Sequence, residues 1–381
     1  MLRIALFTPT LESVILLSPI YKHMMEEGYT PLFYDVVEEG GWFEKGVQFI
    51  SLGYSRPKRI LRFNNYRDLN HLIDRIAEKD EPDIAVLAGY SKATYHILNR
   101  FRLHKIRTLH IESGLRSYRE SPDEALRQAI DWSSTYNLIP TKTHYRNLVD
   151  EGFPQDHMYI SGSTYVDSVL TNLTDAVAKS SILEELNTSR YNYVYSYLSG
   201  NKLSSYVDGI GEASLTWDID VIMPLKSRLK NLLKEAGKYY DLMTQYYIVP
   251  IEQVDYLDHL NLIYNSRFIV TDDYRVALEA AILKKGVVIL DIDRDLYGLT
   301  ELSIARYLPS DRLGRVGLSE LEVRPSKDIS KLFGGGEGRI HALNAIKGFA
   351  DAEYWMPEWR GLYIRSDGKL SILENYRSSI S

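Results

Sequence analysis

The sequence predicts an α/β protein with two domains, each built on a parallel β-sheet. Its 381 residues exceed the roughly 100–200 residues of an ordinary domain. Short apolar runs alternate with amphipathic segments in the first half of the chain, and this alternation resumes after a break near residues 165–190. Strands and helices that alternate in this way form parallel sheets with helices on both faces.

In the first half, the first helix is expected to end at Gly28, a residue type that favours helix C-termini. The predicted strands are Leu2 to Phe7, Pro31 to Val37, Asp83 to Ala88 and Thr108 to Ile111, and the predicted helices are Ser13 to Glu27, Tyr66 to Lys79 and Lys92 to Leu103. Ligands of such open sheets bind at the carboxyl ends of the strands, so a cleft between the two domains is the expected site.

In the second half, the apolar runs are again short and are separated by helical spacing. The predicted strands are Tyr191 to Tyr197, Asp220 to Pro224, Tyr246 to Pro250, Phe268 to Thr271 and Val287 to Leu290, and the predicted helices are Lys226 to Ala236, Tyr256 to Tyr264 and Tyr274 to Leu283. We expect residues 1–170 to form the first domain and residues 171–359 the second. The GGGEG run at Gly334 to Gly338 is expected to form a tight turn.

Composition limits the partners. The net charge of −6 provides no basic surface for nucleic acid or for an anionic membrane. The absence of cysteine excludes disulfides, thiolate metal sites and cysteine nucleophiles. No segment approaches the ~20 apolar residues that cross a bilayer, and the N-terminal apolar run lacks the other parts of a signal peptide. We therefore expect a cytoplasmic protein.

Several common catalytic motifs are missing. The nine histidines show no HExxH spacing, which argues against a zinc site. The chain also lacks GxSxG, a Walker A sequence and a GxGxxG after a strand. These absences argue against a serine hydrolase, a P-loop NTPase and a standard NAD enzyme.

Four words in the stretch from His110 to Leu170 resemble motifs of one enzyme family in order and spacing. They are HIESGLRS, SPDEALRQAID, IPTKTHYRNLVDEGF and MYISGSTYVDSVL. They are similar to HVEAGLR, PEEMNRRLTD, PTExxxxNLxxEG and VTGNTVVDAL of the non-hydrolysing UDP-N-acetylglucosamine 2-epimerases. Weaker similarity extends to Ser18–Gly28, Asp255–Asp273 and Gly336–Ile340.

The resemblance implies two Rossmann-like domains facing across a deep cleft, an architecture shared with glycosyltransferases of the B type. It also implies a C-terminal helix, residues 360–381, that packs back on the first domain. The family eliminates UDP from the sugar and adds it back with a proton on the other face of C2. Such a reaction implies a UDP-sugar in the cleft, with no metal and no cofactor. The chain could also form a homodimer.

By the same resemblance, Glu112 is a catalytic carboxylate, because it matches the Glu of HVEAGLR and follows a predicted strand. Asp123 and Glu124 match the acidic pair of PEE, and Arg127 lies one helical turn further along. Arg116, the arginine of HIESGLRS, and Arg127 are expected to bind substrate. The alternative is structural, since acidic residues after a proline are ordinary at a helix start.

Further substrate contacts are expected from residues of both domains. Ser163 stands at the GNT position before a helix, although it could simply cap that helix. Glu279 matches a family Glu associated with the ribose, and its alternative is an exposed helix residue. Lys226, just after a strand, and Arg275 are local cations that could meet the diphosphate, although Lys226 could instead be a solvated residue at a helix start.

Several family residues are replaced. Leu11 and Leu16 stand where the GTRPExxK motif has its cations, and Tyr90 stands where HGDTT has its Asp. The THRREN loop, with its His, is replaced by YSYLSGN at 195–201. Asp273 and Tyr274 replace glycines whose amides would receive the diphosphate, and a carboxylate there is repulsive.

These replacements leave three hypotheses. The first is a UDP-N-acetylglucosamine 2-epimerase that interconverts this sugar nucleotide and its manno epimer. The second is a related nucleotide-sugar enzyme, such as a hydrolysing epimerase or a glycosyltransferase. The third is a sugar-nucleotide-binding relative that has lost the chemistry, because the loss of several cooperating groups is not recovered by the remainder.

Overall fold

The computed structural model describes residues 2–38, 59–199, 202–322, 328–351, 362–364 and 370–372. Two parallel sheets dominate it, one of seven strands in the order β3-β2-β1-β4-β5-β6-β7 and one of six in the order β10-β9-β8-β11-β12-β13. The predicted fold class, two α/β domains with parallel sheets, is confirmed. Where the chain is described, no helix is long and apolar enough to span a membrane.

The first sheet and its helices come from the N-terminal part of the chain. Its strands are β1 (Ile4–Thr8), β2 (Leu32–Glu38), β3 (Arg59–Phe63), β4 (Ile84–Ala88), β5 (Arg107–Ile111), β6 (Tyr136–Ile139) and β7 (Met158–Ile160). Its helices are α1 (Leu11–Glu26), α2 (Tyr66–Lys79), α3 (Lys92–Leu103), α4 (Pro122–Ser133), α5 (Lys142–Asp150) and α6 (Thr164–Lys179). Strand β4 lies between β1 and β5, so the residues that follow these three strands are neighbours.

The second sheet follows the short helix α7 (Ile182–Glu185). Its strands are β8 (Tyr193–Tyr197), β9 (Asp220–Leu225), β10 (Ile248–Glu252), β11 (Phe268–Thr271), β12 (Gly286–Ile289) and β13 (Arg306–Tyr307). Its helices are α8 (Leu203–Trp217), α9 (Ser227–Glu235), α10 (Tyr239–Thr244), α11 (Tyr256–Asn265), α12 (Tyr274–Ile282), α13 (Leu318–Leu321) and α14 (Ile329–Leu332). Turns of 3₁₀ helix cover Gln155–His157, Ile292–Arg294 and Ser310–Arg315.

The helices nearest the cleft begin at well-defined caps. Thr10 and Ser13 form a reciprocal capping pair at the start of α1, with the Ser13 amide donating to Thr10 Oγ1 over 3.1 Å. Ser121 caps α4 just before Pro122, whose fixed φ suits the first helical position. Such caps fix where each helix starts relative to the preceding strand, and therefore where its first side chains point.

One continuous apolar core joins the two domains. Helix α6 packs on α1 of the first domain and on α11 and α12 of the second. Leu16, Val169, Leu260 and Ala281 are all buried in this core. Because a wide apolar contact excludes water between the sheets, the two domains are held in a closed arrangement.

The chain returns to the first domain through α15 (Gly338–Asp351). This helix packs on α1, and the ring of Phe349 stacks on Tyr136 with centroids 3.9 Å apart. The return therefore occurs before residue 359, where we placed the end of the second domain. The GGGEG run leads into this helix, whose first residue is Gly338, and Gly334, Gly335 and Gly336 all have positive φ, as the predicted tight turn requires.

We expected a C-terminal helix over residues 360–381. The structure describes two short segments of this range, and at both of them the prediction is wrong. Leu362–Ile364 (β14) and Leu370–Ile372 (β15) are strands that pair antiparallel. Leu370–Ile372 alternates apolar and polar residues, as strands commonly do. The rest of this predicted helix lies outside the described residues.

Candidate active site

The candidate site lies at the carboxyl ends of β1, β4 and β5, where these strands face the second domain. Glu12 lies in the first turn of α1, just after β1, and Glu112 directly follows β5. Gly89 and Tyr90 follow β4, between them. The topology of the sheet thus brings two carboxylates to one place.

Glu112 is the most constrained of these groups. It is 1% exposed and has φ of +64°, in the left-handed region that a glutamate rarely adopts. Its Oε1 accepts from the backbone amide of Thr164 over 2.9 Å, and its Oε2 accepts from the Tyr297 hydroxyl over 2.9 Å. Burial raises the pKa of Glu112 to about 7, although hydrogen bonds from Ser163 and Tyr297 act against this rise.

Glu12 has a parallel arrangement. It is 7% exposed, and its Oε1 accepts from the Tyr274 hydroxyl over 2.7 Å. Burial raises the pKa of Glu12, and the nearby Arg275 guanidinium acts in the opposite direction. Glu12 and Glu112 are therefore each hydrogen-bonded by a tyrosine of the second domain.

Aromatic rings fill the space between the two carboxylates. The rings of Tyr274 and Tyr297 are neighbours, with centroids 5.9 Å apart, and Tyr165 meets Tyr297 edge-on at 6.5 Å. Tyr165 is fully buried, and its hydroxyl has no hydrogen-bond partner among the described residues. A buried hydroxyl without a partner is costly, so a polar atom of a ligand would stabilise it.

Arg116 belongs to a buried ionic cluster behind Glu112. It is 3% exposed, its Nη1 donates to Asp131 over 2.8 Å, and its Nε donates to Glu151 over 2.6 Å. The Asp131 carboxylate also lies 2.8 Å from His110 Nδ1 and accepts a hydrogen bond from the Tyr90 hydroxyl over 3.3 Å. Although burial opposes ionisation, Arg116 and His110 hold the pKa of Asp131 below its ordinary value. The cluster therefore supports the backbone around Glu112.

Glu124 and Arg127 extend this cluster along α4. The Glu124 Oε2 accepts from the amide and the hydroxyl of Ser117, over 2.8 and 2.7 Å, and from Arg127 Nη2 over 2.9 Å. Arg116 Nε lies 3.7 Å from Glu124 Oε1. Asp123 is exposed at the first turn of α4 and does not join the buried group.

Ser163 stands at the junction of the domains, as the N-cap of α6. Its side chain accepts from the Tyr165 amide over 3.2 Å, and its own amide donates to the Phe333 carbonyl over 2.8 Å. Because the next amide, that of Thr164, donates to Glu112, the start of α6 already holds a carboxylate.

In the second domain, Arg275 and Glu279 lie on one helix, α12. Arg275 pairs with Asp273, whose side chain also caps that helix by accepting from the Arg275 amide over 3.0 Å. Glu279 is buried and accepts from the Tyr256 hydroxyl and from His259 Nε2, both over 3.0 Å. Both residues line a cavity of about 50 Å³ together with Tyr165, Tyr197, Tyr256 and His259.

Lys226 follows β9, a strand of the second sheet. It is half-buried at the N-cap of α9, after β9, as predicted from its position in the sequence. The structure therefore brings Glu112 and Ser163 together, groups Arg116 with Glu124 and Arg127, and groups Arg275 with Glu279. Where the chain is described, no group of three or more histidine and carboxylate side chains could hold a metal ion.

The two domains are joined directly across the site. Besides the two tyrosine–carboxylate hydrogen bonds, Nε2 of His144 lies 3.1 Å from the Leu296 carbonyl, and Arg119 pairs with Asp293 at 2.6 Å. Burial lowers the pKa of His144 to about 4, so this imidazole is neutral at neutral pH and its bond is independent of charge.

Sequence reasoning missed Glu12 and Tyr297. Glu12 lies inside PTLESVIL, a segment in which we considered only the two replaced cations. Its position just after a predicted strand was a usable signal, because residues at that edge of a parallel sheet meet in the cleft. Tyr297 comes from a loop with no recognisable motif, so its contact with Glu112 could not be inferred from the sequence.

Comparison with known proteins identifies the family. The UDP-N-acetylglucosamine 2-epimerase of Methanocaldococcus jannaschii is 27% identical over 275 residues, which cover 70% of this chain and 75% of the relative. The enzyme of the same name from Methanococcus maripaludis is 26% identical over 286 residues, covering 72% of this chain and 78% of that protein. The crystal structure of the M. jannaschii enzyme with UDP-GlcNAc and UDP is similar in fold, with a TM-score of 0.81 at 24% identity, over 91% of this chain and 100% of that one. The sequence profile of the UDP-N-acetylglucosamine 2-epimerase family matches residues 68–295, more than half of the chain. This protein therefore belongs to the UDP-N-acetylglucosamine 2-epimerase family.

Proposed function

We propose that this protein interconverts UDP-N-acetylglucosamine and UDP-N-acetylmannosamine in the cleft between its two domains. The observation that carries the proposal is the buried carboxylate of Glu112, held by Thr164 and Tyr297 at the end of β5. The names of the relatives and the four ordered sequence matches support the same reaction.

The reaction needs an acid/base group because C2 of the sugar has no adjacent carbonyl to stabilise a carbanion. A base removes the C2 proton while the C1–O bond breaks, and UDP leaves with the bonding electrons. Addition of a proton to the opposite face of C2 and of UDP to C1 then gives the epimer. Glu112 suits this role, because a pKa of about 7 makes both its protonation states available near neutral pH.

The surrounding residues are proposed to bind the sugar nucleotide. Arg275 and Glu279 line the cavity from the second-domain side and would meet the nucleotide. Asp123 and Glu124 remain further acid/base candidates. The proposed substrate contacts outside that cavity are Arg116, Arg127, Ser163 and Lys226.

Binding must be accompanied by opening of the cleft. A cavity of about 50 Å³ is much smaller than the roughly 300–1,000 Å³ of typical ligand sites. The hydrogen bonds of Tyr274 and Tyr297 cross from the second domain to the first, so opening of the cleft would break them. Domain opening and closing of this kind is common in enzymes that exclude water from a reactive intermediate.

A second candidate is a relative that binds a nucleotide sugar without turning it over. One specific contact favours this candidate. The carboxylate of Asp273 accepts from the Arg275 amide at the start of α12 and also pairs with the Arg275 guanidinium, so both groups already have an anionic partner. A diphosphate would have to compete with this internal anion.

Proton NMR of the purified protein with UDP-N-acetylglucosamine tests the proposal. The proposed function predicts the anomeric signals of UDP-N-acetylmannosamine, which should be absent with Glu112→Gln. Thermal-shift measurements in parallel report binding independently of turnover. Stabilisation by the sugar nucleotide without any epimer would favour the binding relative. Sedimentation analysis would test the predicted homodimer.

A further inference from the structure

Glu12 has no role in the reaction as proposed so far, yet its environment repeats that of Glu112. It is 7% exposed, against 1% for Glu112, and both carboxylates follow the carboxyl end of a strand in the same sheet. A tyrosine hydroxyl from the second domain donates to each of them, Tyr274 to Glu12 over 2.7 Å and Tyr297 to Glu112 over 2.9 Å. The two carboxylates therefore share burial, position in the sheet and the type of hydrogen-bond donor.

The strand order places Glu12 and Glu112 on opposite sides of Gly89, the residue after β4. Strands β1 and β5 pair with the two edges of β4, so Glu12 and Glu112 reach the cleft from either side of Gly89, the residue after β4. The Oε2 of Glu12 would lie only 3.2 Å from a Cβ at Gly89, so a side chain there would press on this carboxylate. Glycine at position 89 avoids this contact with Glu12.

An independent observation indicates that a polar ligand binds beside the two carboxylates. The Tyr165 hydroxyl is fully buried and has no hydrogen-bond partner among the described residues, although its ring contacts that of Tyr297. Tyr165 also lines the small cavity together with Leu11, the neighbour of Glu12, and Arg275. A hydroxyl or an amide carbonyl of a sugar would accept the hydrogen bond that this tyrosine cannot make within the protein.

Inversion at C2 needs a proton to leave from one face and another to arrive on the opposite face. A single carboxylate cannot reach both faces without reorienting the intermediate, whereas two carboxylates on opposite sides can. We propose that Glu12 is a second catalytic acid/base residue, which acts on the face of C2 opposite to Glu112. This inference rests on the proposed function.

The steps balance as follows. The ionised carboxylate on one side takes the C2 proton, the C1–O bond breaks, and UDP leaves with the electron pair. The protonated carboxylate on the other side gives its proton to C2 of the unsaturated sugar, and UDP forms a new bond at C1. The carboxylate that took the C2 proton ends protonated, and the one that gave its proton ends ionised. Proton exchange with water then restores the starting protonation state of each. Burial raises the pKa of Glu12 as it does that of Glu112, so each group can hold a proton nearer to neutral pH than an exposed glutamate can.

The test is a comparison of Glu12→Gln and Glu112→Gln, each supplied separately with UDP-N-acetylglucosamine and UDP-N-acetylmannosamine in deuterated water. Both variants should lose epimerisation by about 100-fold or more. Each should still exchange the C2 proton of one epimer with solvent, because the remaining carboxylate can remove and return a proton on its own face. The two variants should label opposite epimers. Glu26→Gln, an exposed change on the same helix, should behave as the wild type.

Epimerisation by Glu12→Gln at the wild-type rate would overturn the inference, as would a folded Glu12→Gln protein that exchanges neither epimer. If Glu12→Gln does not fold, Tyr274→Phe replaces it, because loss of the hydroxyl should raise the pKa of Glu12. The acid limb of the pH profile of kcat/KM should then move to higher pH in both directions of the reaction, and an unmoved limb would overturn the inference. A wild-type protein that neither exchanges nor epimerises a bound UDP-sugar would instead refute the proposed function itself.

Discussion

Replacement of Glu112 by Gln should remove a large part of the pH dependence of stability. The folded protein raises the pKa of Glu112 from 4.5 to about 7, so the folded state binds this proton more tightly than the unfolded state does. The resulting stabilisation is fully present below about pH 4.5 and is lost as the pH rises to about 7. At about 1.4 kcal/mol for each pH unit, the free energy of unfolding should fall by about 3 kcal/mol across this window.

Urea unfolding at a series of pH values, followed by tryptophan fluorescence, measures this fall. The difference in unfolding free energy between wild type and Glu112→Gln should change by about 3 kcal/mol between about pH 4.5 and pH 8, with the variant gaining relative stability at the higher pH. The exposed change Glu26→Gln should give a curve parallel to the wild type. Parallel curves for wild type and Glu112→Gln would show that the carboxylate is solvated or already ionised, and would refute the argument from burial.

Three further predictions concern stability and binding. Gly162→Ala should cost about 2 kcal/mol or more in urea unfolding, because Gly162 has φ of +83° and a Cβ there would lie 2.8 Å from the Cα of Gly334. Arg116→Met should cost about 3–5 kcal/mol in the same assay, because it removes the guanidinium that pairs with the fully buried carboxylate of Asp131. Calorimetry with UDP-N-acetylglucosamine should give a dissociation constant weaker than micromolar, because Asp273 already occupies the start of α12 and pairs with Arg275; a submicromolar value would contradict this.

Helices could be predicted where apolar residues recur at regular helical spacing. The helices at Tyr66–Lys79 and Lys92–Leu103 occur as predicted, because their apolar residues recur at helical spacing and each follows a polar N-cap. Helix α8 was missed. It contains Gly209 and Gly211, which lower helix propensity, and a side chain at Gly209 would collide with the backbone of Ser310. Glycine is required at position 209 because a segment about 100 residues away packs closely against this helix. A requirement of this kind cannot be read from the local sequence pattern.

The candidate site could be predicted in part for a similar reason. Glu112 was found because it follows a strand and because its surroundings resemble a family motif. The contacts that define its environment come from much further along the chain, since Glu112 and Tyr297 are 185 residues apart and Glu12 and Tyr274 are 262 apart. The closed arrangement of the domains brings these residues together, and that arrangement is not encoded in any short segment.

The exchange of the C2 proton with solvent tests the central claim most directly. Wild-type protein incubated with UDP-N-acetylglucosamine in deuterated water should produce UDP-N-acetylmannosamine carrying deuterium at C2, detected by mass spectrometry and by loss of the H2 signal in proton NMR. Glu112→Gln should produce no labelled epimer, since the substitution keeps the volume of the side chain and removes the base. Absence of deuterium at C2 of any UDP-sugar that the wild-type protein demonstrably binds would contradict the proposed reaction.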